Sequence, residues 1–205
     1  MKASLTAFLF IFAASFASLH AATEDPTAKL HETVWAALDA IYGECCADLT
    51  VQDKQLRVRE VVERHFSLEV IIRRAIGRNW NKMSPAEQEQ VVELIAQLVI
   101  KAYVTNLDGT ERPEITFGDT VYISDKRIEI PSVIVANGKT FNIVYRLGLM
   151  KTGWEIYDIV AENISIVSNY RQQFDDHFRS GDGAGLVAKL EELLKKEKID
   201  NEVKI

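Results

Sequence analysis

Asp158 is the side chain best placed to do chemistry. It stands beside Tyr157 in an apolar-rich stretch that reads as a strand. A carboxylate on a strand that faces a helix layer could act as a general base in a small α+β enzyme. No partner for it is recognisable in the sequence, and a hydrogen-bonding role in the sheet or a nearby turn is the simpler reading. The histidines beyond residue 21 are His31, His65 and His177. None has metal-ligand spacing to a cysteine or carboxylate, and His-x-x-x-His does not occur. They read as surface or partly buried residues. There is no Gly-x-Ser-x-Gly and no glycine-rich loop that would cradle phosphate. Gly181-Asp182-Gly183-Ala184-Gly185 reads as a connector at a helix start. The two cysteines, Cys45 and Cys46, are adjacent. Bridging neighbours closes a strained ring, so disulfides do not frame this fold. A pair of helix-face thiols with one buried and a redox role remain two open readings, and an intermolecular bridge is a third in an oxidising compartment. Asn163-Ile164-Ser165 is a sequon of a length that recurs by chance. The expectation is therefore no catalytic residue, no metal and no cofactor.

The N-terminus bears on where the chain works. Lys2 precedes an apolar run from Leu5 to Ala17, and Leu19-His20-Ala21 offers a small residue for cleavage. This pattern predicts a secretory signal peptide over residues 1–21 and one domain over residues 22–205. The run falls short of the ~20 apolar residues of a spanning helix. No cysteine follows it closely, which argues against a lipoprotein anchor. The chain carries 24 Lys+Arg and 30 Asp+Glu, net −6, and losing residues 1–21 removes only Lys2, for a net of −7. Such a chain has no electrostatic footprint for nucleic acid. It also resists nonspecific adhesion to anionic lipid.

The elements that would position these residues follow from periodicity. Leu30, Val34, Ala37, Leu38 and Ile41 predict a helix from Pro26 to Tyr42. Thr50 and Asp53 predict a cap for a second helix that runs to about His65. Ser67 is expected to cap a third, which closes near Gly77. Ser84-Pro85-Ala86-Glu87 is the strongest local signal, a capping box with proline at the first helical position. The helix that it starts carries Val91, Leu94, Ile95, Leu98, Val99, Ala102 and Tyr103 on one broad face. From Glu114 the period changes to two. Gly118-Asp119 interrupts a first strand, and a second runs from Lys126 to Ala136, where Pro131 indicates an edge or a bulge. Asn137-Gly138 predicts a tight hairpin. Phe141, Ile143, Tyr145, Leu147 and Leu149 alternate on the third strand. A turn at Lys151-Thr152-Gly153 leads to a fourth, from Trp154 to Ala161. Helical spacing returns from Ile164 to Phe178 and again from Leu186 to Leu194. Helices gathered on one side of an antiparallel sheet of about four strands imply an α+β fold.

These faces hold more large apolar residues than any polar function needs. A packed core and a cavity leave the same mark on a sequence, so periodicity alone does not separate them.

Several motifs carry a family resemblance. Ile76-Gly77-Arg78-Asn79-Trp80, the Ser84 helix start with its continuation through Leu98 to Leu107, Trp154-Glu155-Ile156-Tyr157-Asp158-Ile159-Val160, and the run from Ile164 to Phe174 that contains Asn169-Tyr170-Arg171 resemble the MlaC, or toluene-tolerance, family. The resemblance covers roughly Phe66 to Phe178. Asn163 departs from it, standing where the family has glycine; asparagine tolerates the left-handed conformation that such a turn needs. The Cys45-Cys46 pair is a second departure. The resemblance implies a twisted sheet with helices packed around it, enclosing an apolar lipid cavity. It implies a periplasmic carrier that holds phospholipid acyl chains. Its implied partners are an outer-membrane lipoprotein complex and an inner-membrane ABC transporter, met through a membrane-anchored substrate-binding subunit. The outcome would be maintenance of outer-membrane lipid asymmetry. A hopanoid or other polycyclic lipid is a rival cargo, and a solid-cored periplasmic interaction module is a rival of another kind.

The physics suits a carrier. Burial of a methylene is worth about 0.8 kcal/mol, so a sixteen-carbon chain represents roughly 12 kcal/mol of gross transfer. Such a lipid needs an apolar cavity to travel, and a partner that competes for it or opens the cavity to release it. On alternation and helix spacing, the candidate tail contacts are Val99, Tyr103, Phe141, Ile143, Tyr145, Leu147, Ile156 and Val167. Arg78 and Arg171, both in the matching motifs, are candidates to anchor structure or to meet a head group or partner.

Overall fold

Local capping chemistry starts most of the helices where the sequence places them. The computed structural model describes residues 25–196; the expected leader lies outside them. Asp25 caps α1 (Pro26–Tyr42) through the Thr27 amide. Reciprocal capping boxes open α2 (Val51–His65) with Thr50 and Asp53, and α4 (Pro85–Leu107) with Ser84 and Glu87. The third helix, α3 (Leu68–Ile76), differs. The Ser67 side chain makes no capping bond; its amide instead donates to the Glu155 carboxylate, 2.7 Å away and 88 residues on. At the other end of α3, Gly77 takes φ +61° and ψ −132°, a region that only glycine enters readily. A Cβ there would lie 3.2 Å from Arg171 Nε.

The sheet has six strands, two more than expected: β1 (Glu114–Phe117), β2 (Val121–Ser124), β3 (Arg127–Ala136), β4 (Lys139–Met150), β5 (Gly153–Ala161) and β6 (Ile164–Ser165). The excess is small in substance. β1 and β2 both pair with β3 and are one interrupted row, and β6 adds only two residues beside β5. All pairings are antiparallel. Pro131 is on neither an edge nor a bulge. It lies within β3, paired to Val144, with its carbonyl accepting from Gly118 where the first row breaks. A residue's N–H and C=O point the same way from a strand, so the missing donor faces that gap and no ladder bond is lost. Asn137 and Gly138, at φ +51° and +71°, form the expected tight hairpin. Glu162 and Asn163, at +49° and +65°, turn the chain from β5 into β6. Asparagine thus takes the left-handed role that the family gives to glycine. That pairing also delays the next helix, α5, which spans Ile166–His177 rather than beginning at Ile164. The last helix is α6 (Gly183–Leu194).

The apolar residues gather in three clusters. The largest joins α3, α4, α5 and α6 through residues such as Ile76, Trp80, Val91, Leu98, Phe174 and Leu190. A second lies between α1 and the sheet: Leu30 and Phe66 on Ile128, Ile130 and Leu147. The third joins α1, α2 and α4.

Candidate functional site

Between the sheet and the helices the first cluster does not close. A cavity of about 370 Å³ remains. Leu68, Ile71, Ile72 and Ala75 of α3 form one side, and Ile95, Ala96, Leu98, Val99 and Tyr103 of α4 another. The sheet contributes Ile134, Ile143, Tyr145, Ile159 and Ala161, and α5 contributes Ile166, Val167, Tyr170 and Phe174; Leu190 of α6 completes the wall. Each of these side chains is aliphatic or aromatic. None is charged, and tyrosine hydroxyls are the only polar side-chain atoms. Burial raises the pKa of both Tyr103 and Tyr145 above the ordinary phenol value; for Tyr145 the nearby Ser132 hydroxyl opposes the rise and Tyr103 adds to it. Both stay protonated at any physiological pH. Tyr103 is 47% exposed by area, although burial still acts on its hydroxyl.

Five candidate contacts meet in this wall: Val99, Tyr103, Ile143, Tyr145 and Val167. Three do not. Leu147 and Ile156 belong to the α1 cluster, with Leu147 fully buried under Leu30 and Phe66. Phe141 is exposed, one step along β4 beyond Ile143. All three share the inner face of the sheet, as alternation requires, but alternation does not say what covers each position. The α3 contribution and Ile134, Ile159, Ala161, Tyr170, Phe174 and Leu190 were not among the candidates. The helical spacing of Leu68, Ile71, Ile72 and Ala75 was the signal available for α3.

The polar candidates have structural occupations. The Asp158 carboxylate, 5% exposed, accepts from Arg146 at 3.2 Å, from the Ser165 hydroxyl at 2.8 Å and from the Val167 amide at 3.2 Å. It thereby satisfies the start of α5 and does not reach the cavity wall. Glu155, on the same strand, does likewise for α3. Arg171 donates to the Arg74 carbonyl and ties α5 to α3, whereas Arg78 is largely exposed, 3.5 Å from Asp175. The histidines are dispersed. His31 stacks on Phe117 with ring centroids 3.9 Å apart, His65 ends α2, and His177 meets the Asp182 carbonyl. Burial lowers the His31 pKa, with Asp25 opposing. Cys45 and Cys46 are unbridged thiols on a short 3-10 turn, Cys46 buried and Cys45 exposed, with sulfurs 3.0 Å apart. Among the described residues, no three His, Cys, Asp or Glu side chains group to hold a metal. Nor is any helix among them long and apolar enough to cross a membrane.

An α+β cup whose cavity wall carries hydrocarbon and a few neutral hydroxyls defines a class, the binders of apolar ligands. The chain belongs to the MlaC family, whose model, described as MlaC protein, matches residues 47–192. A similar solved structure is the phospholipid-binding protein from Ralstonia solanacearum in complex with a phospholipid. It superposes with a TM-score of 0.70 at 24% identity, over 84% of this chain and 99% of that one. At this identity the likeness is one of fold. No curated protein matches the chain.

Proposed function

We propose that the protein is a periplasmic lipid carrier that holds phospholipid acyl chains and passes lipid between two membrane complexes. The observation that carries the reading is the 370 Å³ cavity with no charged side chain in its wall. Membership of the MlaC family and the phospholipid held by the Ralstonia protein of the same fold support the choice of cargo. With a methylene taken at the ~30 Å³ of a water in the liquid, the cavity takes about twelve carbons, the better part of one acyl chain. A second chain needs the walls to part or the cavity mouth to shelter it. The partners in this reading are an outer-membrane lipoprotein complex and an inner-membrane ABC transporter with a membrane-anchored substrate-binding subunit, and the outcome is maintained outer-membrane lipid asymmetry. An acidic carrier gains no hold on anionic lipid surfaces, so contact with a partner, rather than with the bilayer, governs loading and release.

Native mass spectrometry of the protein purified from a periplasmic extract without detergent tests this directly. Phospholipid masses at near one-to-one occupancy are the expected result. A hopanoid or other polycyclic mass would keep the cavity and replace the cargo. Lipid-free protein that also fails to take lipid from vesicles with its partners present would overturn the carrier reading.

A further inference from the structure

Two of the hydroxyls in this otherwise apolar wall belong to Tyr103 and Tyr145. Ser132 adjoins them. It lies on the same inner face, paired across the sheet with Ile143, and is 3% exposed. Its hydroxyl is near enough to Tyr145 to influence that phenol, yet its Oγ is buried with no bonded partner. A buried hydroxyl left unpaired is costly, and native folds seldom retain one without a use.

The surroundings restrict what could satisfy the cluster. The phenols stay protonated, so they offer O–H donors and call for an acceptor. No cation lines the wall, so a phosphate or carboxylate there would lie uncompensated in apolar surroundings. The cavity is also graded. Tyr103 is 47% exposed, while Leu98, Phe174 and Leu190 of the same wall are at most 1% exposed. Tyr103 therefore stands where wet gives way to dry, with the Tyr145 and Ser132 hydroxyls just inside it. An acyl lipid carries its neutral, strongly accepting ester carbonyls at that same boundary, between charged head and hydrocarbon tail.

We propose that Tyr145, with Tyr103 and Ser132, donates hydrogen bonds to an ester carbonyl of the bound lipid, so that the cluster selects ester-linked lipid and sets how far the chain enters. This rests on the reading of the cavity as an acyl-lipid site.

The test compares two probes that differ only in their two ester carbonyl oxygens, dipalmitoyl phosphatidylglycerol and its di-O-hexadecyl ether analogue. Each is offered to the protein in equal amounts from mixed vesicles with its membrane partners present, and occupancy is read by native mass spectrometry. The protein is expected to prefer the ester lipid about fivefold, the worth of one net hydrogen bond. Tyr145→Phe, which keeps the ring, should load both lipids and bring the ratio close to one. Ser132→Ala and Tyr103→Phe should each lower it in part. Equal loading by the unaltered protein, or an ester preference that survives in Tyr145→Phe, would overturn the proposal while leaving the carrier reading intact. Failure of the unaltered protein to load either lipid would overturn both.

Discussion

One strand face is covered in two ways. At the Leu147 end of β4, Leu30 and Phe66 close over Leu147, Ile128 and Ile130, and all five side chains are almost wholly buried. At the Ile143 end, Ile143 and Ile134 face α3, α4 and α5 across open space. Tyr145 sits at the junction and contacts both regions. Residue types do not distinguish the ends, since both are built from branched aliphatics. The covering element does. α1 fills its end with side chains packed on the sheet, whereas α3 and α5 meet the sheet at β5 and leave space beside β3 and β4. Two buried acids on β5 tie the starts of these helices to the sheet, Glu155 at α3 and Asp158 at α5.

Truncation at each end should show the largest effect. Leu147→Ala removes packed atoms from a filled site and is expected to cost about 2–5 kcal/mol, read as a shift in the urea unfolding midpoint. Ile143→Ala removes atoms that already face a void and should cost less, about 1–2 kcal/mol. The occupancies should run the other way: Leu147→Ala keeps lipid in its folded fraction and Ile143→Ala loses some. Equal destabilisation would mean that the Ile143 end is packed in solution and the contrast false.

Asp158→Asn comes next. It keeps the shape of the side chain but removes the charge that Arg146, Ser165 and the Val167 amide address. A stability loss of about 1–3 kcal/mol is expected, the range for hydrogen bonds to a charged group. α5 carries four residues of the cavity wall, so lipid occupancy should fall as well. A variant that loses stability yet loads normally would show that the start of α5 does not shape the cavity.

These contrasts explain what was legible in the sequence. The capping boxes at Thr50 and Ser84 are written within four residues, and the structure has both. The alternation on β4 identified the inner face correctly. It did not identify the cover, because Leu30 and Phe66 come from distant segments. It also misses a change of phase in β5. Opposite β4, Leu147 pairs with Ile156 but Arg146 pairs with Asp158, so Tyr157 is an extra residue. That bulge lets Ile156 and Ile159, three apart, pair with the inner-face residues Leu147 and Tyr145, which no period of two would predict. Glu155 at the Ser67 amide was hidden for a similar reason, being a cap supplied from 88 residues away.

Val99→Trp should affect the cavity and spare the fold. The indole would enter space that α4 leaves open, so stability should change by about 1 kcal/mol or less, below the usual cost of overpacking. Lipid occupancy in native mass spectra should fall several-fold. Full occupancy would place the cargo elsewhere.

The smallest effect should come from the outer side of α4, and it tests whether the loss in Val99→Trp belongs to the cavity or to the helix. Arg59 of α2 grips Glu93 through two bonds of 2.6 Å. The guanidinium, with Gln97, holds the Glu93 carboxyl down at about 2 against an ordinary 4.5. A lowered carboxyl pKa stabilises the fold above the unfolded-state value and loses that contribution as pH falls from about 4.5 towards 2. Glu93 is 46% exposed, so solvent screens the pair, and Glu93→Gln should cost less than about 1 kcal/mol at neutral pH. The variant should also show a shallower loss of stability over that acid range in urea titrations. Its lipid occupancy should remain that of the unaltered protein, because α4 keeps its inward face when an outer tie is loosened. A fall in occupancy to match Val99→Trp would show that loading depends on how firmly α4 is held, and the space beside Ile143 would then be a property of the helix's position rather than of the side chains that line it.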